Sequence, residues 1–237
     1  MTALAGQTVA IVGASSGIGL AVAQLAAARG AHVAMLSRSQ ARLDAAAATV
    51  PGARAIAMDM LDRAAVDRAI GGLGRIDHLV LTAAADELAS KAPIAAITPE
   101  QVERALDKLR GFVQVMRAAA PALPPTGSVA IVTGASAQRP PRDGFSVLAA
   151  VSGSLLSLGK ALALELAPVR VNVVMSGVVD TAIHAASRDQ VKSWAERELP
   201  VRRFGQPEDI AQAIELLLTN PYITASTLTV DGGLVAL

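Results

Sequence analysis

The chain has 237 residues, 52% of them apolar and 2% aromatic, with no cysteine and a formal net charge of +1. This length suits one large domain with its own core, and the missing cysteines exclude disulfides, a thiolate metal site and a cysteine nucleophile. Charges of both signs are interspersed, so no basic stripe points to nucleic acid or an anionic membrane.

The start of the chain lacks the basic region and cleavage pattern of a signal peptide. No apolar run is expected to reach the roughly 18 residues of a bilayer span, no metal site is expected, and the expected location is the cytoplasm. In chain order, Thr8–Val12 is predicted as a strand, Gly17–Arg29 as a helix and His32–Leu36 as a strand. Short strands follow at Arg54–Met58 and Leu79–Leu81. A long helix is predicted at Pro99–Ala120, a strand at Val129–Thr133, a second long helix at Val147–Ala167, and strands at Val171–Met175 and Leu228–Val230. Alternation of this kind implies right-handed crossovers and an α/β doubly wound parallel sheet, a three-layer Rossmann fold in one domain over residues 1–237. Two Pro-rich loops, Pro121–Gly127 and Arg139–Gly144, punctuate the second half. The latter lies between a strand's C-terminal end and a helix, where active-site loops of open α/β sheets stand.

Gly13, Ser15, Ser16, Gly17, Ile18 and Gly19 lie between the first strand and the first helix. Glycines there allow a tight turn and let a pyrophosphate approach the backbone at the helix N-terminus. Without a ligand, the same glycines would simply make a tight strand-to-helix turn.

The spacing G-x-x-x-G-x-G, as GASSGIG, resembles the short-chain dehydrogenase/reductase family. The resemblance continues through Leu79–Ala84, Leu162–Pro168, Arg170–Asn172, Gly177–Thr181, Arg203–Asp209 and Val230–Gly233. It implies a dinucleotide site that also includes Asp59 and Met60 at the adenine, Ala83 and Ala84, and Gly177, Val179 and Thr181 toward the nicotinamide. NAD-using relatives place an acid at the position of Ser37. Uncharged Ser37 followed by Arg38 implies NADP(H) in preference to NAD(H), since a guanidinium can bind a 2′-phosphate in a bidentate, charge-assisted way. An ordinary solvated arginine is the competing reading of Arg38. The long helices resemble those through which the family forms homo-dimers and homo-tetramers. Gly153, Leu156 and Gly159 would allow close packing there, or would face the sheet.

The family's reaction uses a tyrosine and a lysine four residues apart on one helix. Counting back from Leu162–Pro168 places the tyrosine position on Leu148 and the lysine position on Ser152. The serine position falls on Ala135 and the asparagine position on Lys108. Tyr222 is the chain's one tyrosine and is assigned to packing or an interface. Candidate catalytic residues are therefore Lys108, Ser136 and His184. Lys108 either turns inward and supplies the missing positive charge or points to solvent. Ser136 either substitutes for the serine or serves its own loop, and His184 either transfers protons or is a bystander. His32 and His78 are read as structural. Ser176 stands where the family has proline, which is expected to loosen the turn toward Thr181. Two function classes follow: an NADP(H)-dependent oxidoreductase acting on a small carbonyl or alcohol at an atypical site, or a catalytically inactive NADP(H)-binding relative serving as a sensor or oligomer partner.

Overall fold

A computed structural model describes residues 4–84 and 87–237. Among these, seven strands form one parallel sheet: β1 (Thr8–Val12), β2 (His32–Ser37), β3 (Arg54–Ala57), β4 (His78–Leu81), β5 (Ser128–Gly134), β6 (Arg170–Ser176) and β7 (Thr227–Val230). Their order is β3-β2-β1-β4-β5-β6-β7. Near-continuous burial of the central strands explains their Val-, Ile- and Leu-rich runs, because helices cover both faces.

Alternation along each strand divides the core into two layers. Ala10, Val12, Leu79, Leu81, Val129 and Ile131 face α3 (Arg63–Gly71), α4 (Pro99–Ala119) and α5 (Ser146–Glu165). Val9, Ile11, Met35, Val80 and Val132 face α1 (Gly17–Ala28), α2 (Gln40–Ala47) and α7 (Pro207–Thr219). A third cluster, around Leu199 and Phe204, packs α6 (Arg188–Glu198) against the C-terminal turn. Helix α4 starts sharply because Thr98 and Gln101 form a capping box with Pro99 in the first turn.

The expectation of no bilayer-length apolar segment needs correction. Helix α5 has 20 residues and a mean hydropathy of 1.7 over its apolar window, with about a third of that window buried. Its buried face packs on the sheet: Gly159 lies so close to Val173 that a side chain would not fit, while Gly153 faces open space. Gly159 therefore serves the sheet. Tyr222, read as packing or an interface residue, is 96% exposed, which excludes packing within this chain.

The chain runs outward from β1 to β3, then returns to place β4 on β1's other side. This reversal opens a crevice beyond the C-terminal ends of β1 and β4. At the sheet's opposite end, His78 is 4% exposed and its two ring nitrogens lie 2.8 Å from Ser128 Oγ and Gln7 Oε1.

Candidate nucleotide site

The crevice holds a cavity of about 370 Å³, with a floor formed by the loop after β1. Three glycines make that loop possible. Gly13 adopts φ 97°, and a Cβ there would lie 2.5 Å from Ala83 N. A Cβ on Gly19 would lie 2.6 Å from Thr82 Oγ1, and Gly17 adopts φ 55° against the Thr181 methyl. Any side chain at Gly13 or Gly19 would push the loop off β4 and close the cradle.

Ser16 caps α1 in an extended conformation but makes no side-chain hydrogen bond to the helix. Among the described residues, no side chain caps the amides that open α1, which carry the positive end of the helix dipole. Such a terminus receives a phosphate. Apolar Val12, Ile18, Met58 and Ala84 line the walls, and Ser15 Oγ lies 2.9 Å from Ser37 Oγ. The donor set fits a dinucleotide: the α1 amides for a pyrophosphate, a serine pair and guanidiniums near a ribose, and carboxylate acceptors farther along.

Thirteen of the sequence-predicted cofactor residues line this one cavity: Gly13, Ser15, Ser16, Gly17, Ile18, Gly19, Ser37, Arg38, Asp59, Met60, Ala83, Ala84 and Thr181. Gly177 and Val179 do not. Gly177 is jammed against Asp231, and buried Val179 pairs with Gly205. Both serve the turn that carries Thr181. Ser176 also holds that region, donating to the carbonyl oxygen of Thr133 at 3.1 Å. This hydroxyl ties β6 to β5 where the proline reading expected slack.

Several wall residues escaped the sequence reading: Arg42, Leu61, Asp107, Ala182 and Ile183. Arg42 carried a faint signal, because it is a second arginine four residues after Arg38. Ser39 caps α2 by accepting from Arg42 N, which starts the helix beside the cavity.

The candidate catalytic residues do not line the cavity and are not gathered at one point. Lys108 is 7% exposed, which excludes the solvent-facing reading, and its ammonium stands 5.9 Å from the Phe112 ring. Leu148 is 6% exposed and packs with Ala105 and Val151. Ser152 is buried and accepts a hydrogen bond from Ser136 Oγ at 3.0 Å. Buried Thr133 Oγ1 donates to the carbonyl oxygen of Ser152 at 3.1 Å. His184 meets Phe204 edge-on at 5.9 Å. Burial lowers the His184 pKa, with nearby Asp180 acting in the opposite direction. Helix α6 starts beside this residue, and Arg188 pairs with Asp180 across the segment between them.

The fold and the glycine-rich turn after β1 define an α/β protein of the Rossmann type. Residues 13–235 match the family model described as Enoyl-(Acyl carrier protein) reductase. L-xylulose reductase of Bos taurus is 34% identical over 242 residues, covering 98% of each chain. A solved short chain dehydrogenase/reductase family protein superposes with a TM-score of 0.89 at 32% identity, covering 100% of both chains. A small-chain dehydrogenase in complex with NADPH superposes with a TM-score of 0.85 at 26% identity, over 98% of this chain and 100% of that one. The chain belongs to the short-chain dehydrogenase/reductase family.

Proposed function

We propose that this chain is an NADP(H)-dependent oxidoreductase acting on a small carbonyl or alcohol, with an atypical arrangement of proton-handling groups. The carrying observation is the single cavity that joins the α1 amides, Ser15, Ser37 and Arg38 to Thr181 and Ile183. Its length of wall suits an extended dinucleotide, and a neutral serine pair beside Arg38 and Arg42 suits a 2′-phosphate. The similarity to L-xylulose reductase supports a small polar carbonyl as the substrate class.

The bound cofactor supplies the hydride. The chain's own task is to hold it against Ile18 and Thr181 and to supply a proton to the reacting oxygen. Leucine at 148 cannot carry a proton, and serine at 152 carries no charge. Lys108, inward-facing on α4, is the proposed cation, and Ser136 the proposed hydroxyl. His184 would join them if its segment leaves Phe204. Copies of the chain are proposed to pair through α4 and α5, where Val113 and Leu164 stand exposed.

A second reading has its own observation. Leu148 is absorbed into an apolar cluster, and Ser136 and Ser152 satisfy each other. That arrangement suits an inactive NADP(H)-binding sensor or oligomer partner. Calorimetric titration with NADPH and NADH, followed by NADPH oxidation with a panel of ketoses and small carbonyls, separates the two. Turnover that Lys108→Ala abolishes supports the enzyme. Tight NADPH binding without turnover supports the sensor, and binding of neither nucleotide refutes both.

A further inference from the structure

Among the described residues, Asp107 and Asp59 are the two acids that line a cavity whose cations are Arg38 and Arg42. The neighbours of Asp107 locate it. Helix α4 presents positions 107, 111 and 114 on one face, since residues three and four apart stack along a helix. The segment after β3 lies along that face. Met60 fills the notch at Gly111, where a Cβ would lie 2.5 Å from Met60 Sδ. One turn farther on, Gln114 Nε2 donates to the carbonyl oxygen of Leu61 at 3.2 Å. The packing therefore places Asp59, just before Met60, and Asp107, one turn before Gly111, at the same end of the cavity. Both line its wall, with Met58, Met60 and Leu61 as an apolar platform.

The spare acceptors of these two carboxylates matter. Leu61 N donates to Asp59 Oδ1 at 2.9 Å, and among the described residues no hydrogen bond or ion pair engages the other oxygen. Arg110 stands 3.8 Å from Asp107 Oδ1 and is shared with Glu103, so Asp107 keeps accepting capacity as well. An ionised carboxylate only accepts. Two of them on one wall beside apolar residues suit a group that presents two N–H donors, and they repel a carbonyl oxygen at that place.

We infer that Asp107 is a specificity-determining residue at the base end of the nucleotide site, where it and Asp59 each accept one hydrogen of an exocyclic amine and thereby select adenine over a 6-oxopurine. This rests on the nucleotide reading above and extends it from the phosphates to the base. Asp59 alone would leave one amine hydrogen unread. Asp107 supplies the second acceptor from a different helix.

The test is calorimetric titration with NADPH and with its hypoxanthine analogue, in which a carbonyl replaces the amine. Wild type, Asp107→Asn and Asp107→Leu are compared. Wild type should favour NADPH by about 10-fold or more, the size of a charge-assisted hydrogen bond lost and replaced by repulsion. Asp107→Asn can donate to the carbonyl oxygen, so its preference should shrink by about 5-fold or more, chiefly through better binding of the analogue. Asp107→Leu should lose preference through weaker NADPH binding. An unchanged preference in both variants, or an equal loss of affinity for both nucleotides, overturns the inference while leaving the nucleotide site intact. Wild type binding neither compound overturns the nucleotide site and this inference with it.

Discussion

Protonation of His78 should make this fold acid-sensitive in a defined window. His78 opens β4 at the end of the sheet remote from the nucleotide cavity. Burial pushes its pKa down to about 4, with Asp77 opposing the shift and Arg170 adding to it. The ring is held neutral between Ser128 and Gln7. In the unfolded chain it titrates at about 6.5. Above pH 6.5 both states are neutral and His78 adds no pH dependence. As pH falls from 6.5 toward 4, the unfolded chain takes a proton that the folded one refuses, so stability is lost. A gap of about 2.5 pH units at about 1.36 kcal/mol each gives a total loss of roughly 3 kcal/mol below pH 4, and about 2 kcal/mol of it is already felt at pH 5. Urea unfolding at pH 7.5 and pH 5 should therefore show wild type losing about 2 kcal/mol more than His78→Asn, whose side chain does not titrate. The variant starts lower at pH 7.5, by about 1–3 kcal/mol for disturbed buried hydrogen bonds. Equal pH-dependent losses in the two proteins would refute the reasoning. NADPH affinity at pH 7.5 should be unchanged, because the ring lies at the other end of the sheet.

Other perturbations probe the site directly. Ser37→Asp puts a carboxylate where the 2′-phosphate is proposed to lie, and should reduce NADPH affinity by about 10–100-fold while sparing NADH, a ratio read by parallel titration; unchanged discrimination would remove Ser37 and Arg38 from that role. Gly19→Ala forces a methyl against Thr82 Oγ1 and should lower stability by about 1–3 kcal/mol in urea unfolding, with nucleotide affinity falling at least tenfold by calorimetry. The double variant Leu148→Tyr, Ser152→Lys installs a tyrosine–lysine pair at the positions where the family resemblance implies it. It should raise NADPH oxidation with a ketose above the wild-type rate, despite an overpacking cost of about 1–3 kcal/mol at two buried positions. No gain in a folded, NADPH-binding double variant would show that the rest of the site cannot use that pair.

Much of this protein is legible in its residues because the information is local. Strand edges at Thr8–Val12 emerge from a buried apolar run ended by glycine, and the cradle residues Gly13, Gly17 and Gly19 follow immediately. Ser37 and Arg38 could be read because a strand end fixes their place within one or two residues. Helices α2, α3, α6 and α7 are not among the sequence expectations: they span 8 to 13 residues, and short segments carry few turns of periodic pattern. The burial of Lys108 was undecided in the sequence for a related reason: its helix is amphipathic, and position 108 lies where a small rotation decides between core and solvent.

The sequence by itself determined the fold class and the glycine turn after β1, since hydrophobic periodicity and glycine spacing are properties of contiguous residues. Only the tertiary structure decided which distant side chains share a wall. Arg42 and Asp107 join the cavity because α2 and α4 pack beside it, and Asp107 shares a wall with Asp59 while Met60 seats in the Gly111 notch. His184 stands apart because Phe204, twenty residues later, offers it an aromatic edge. These are long-range contacts, and no local pattern encodes them.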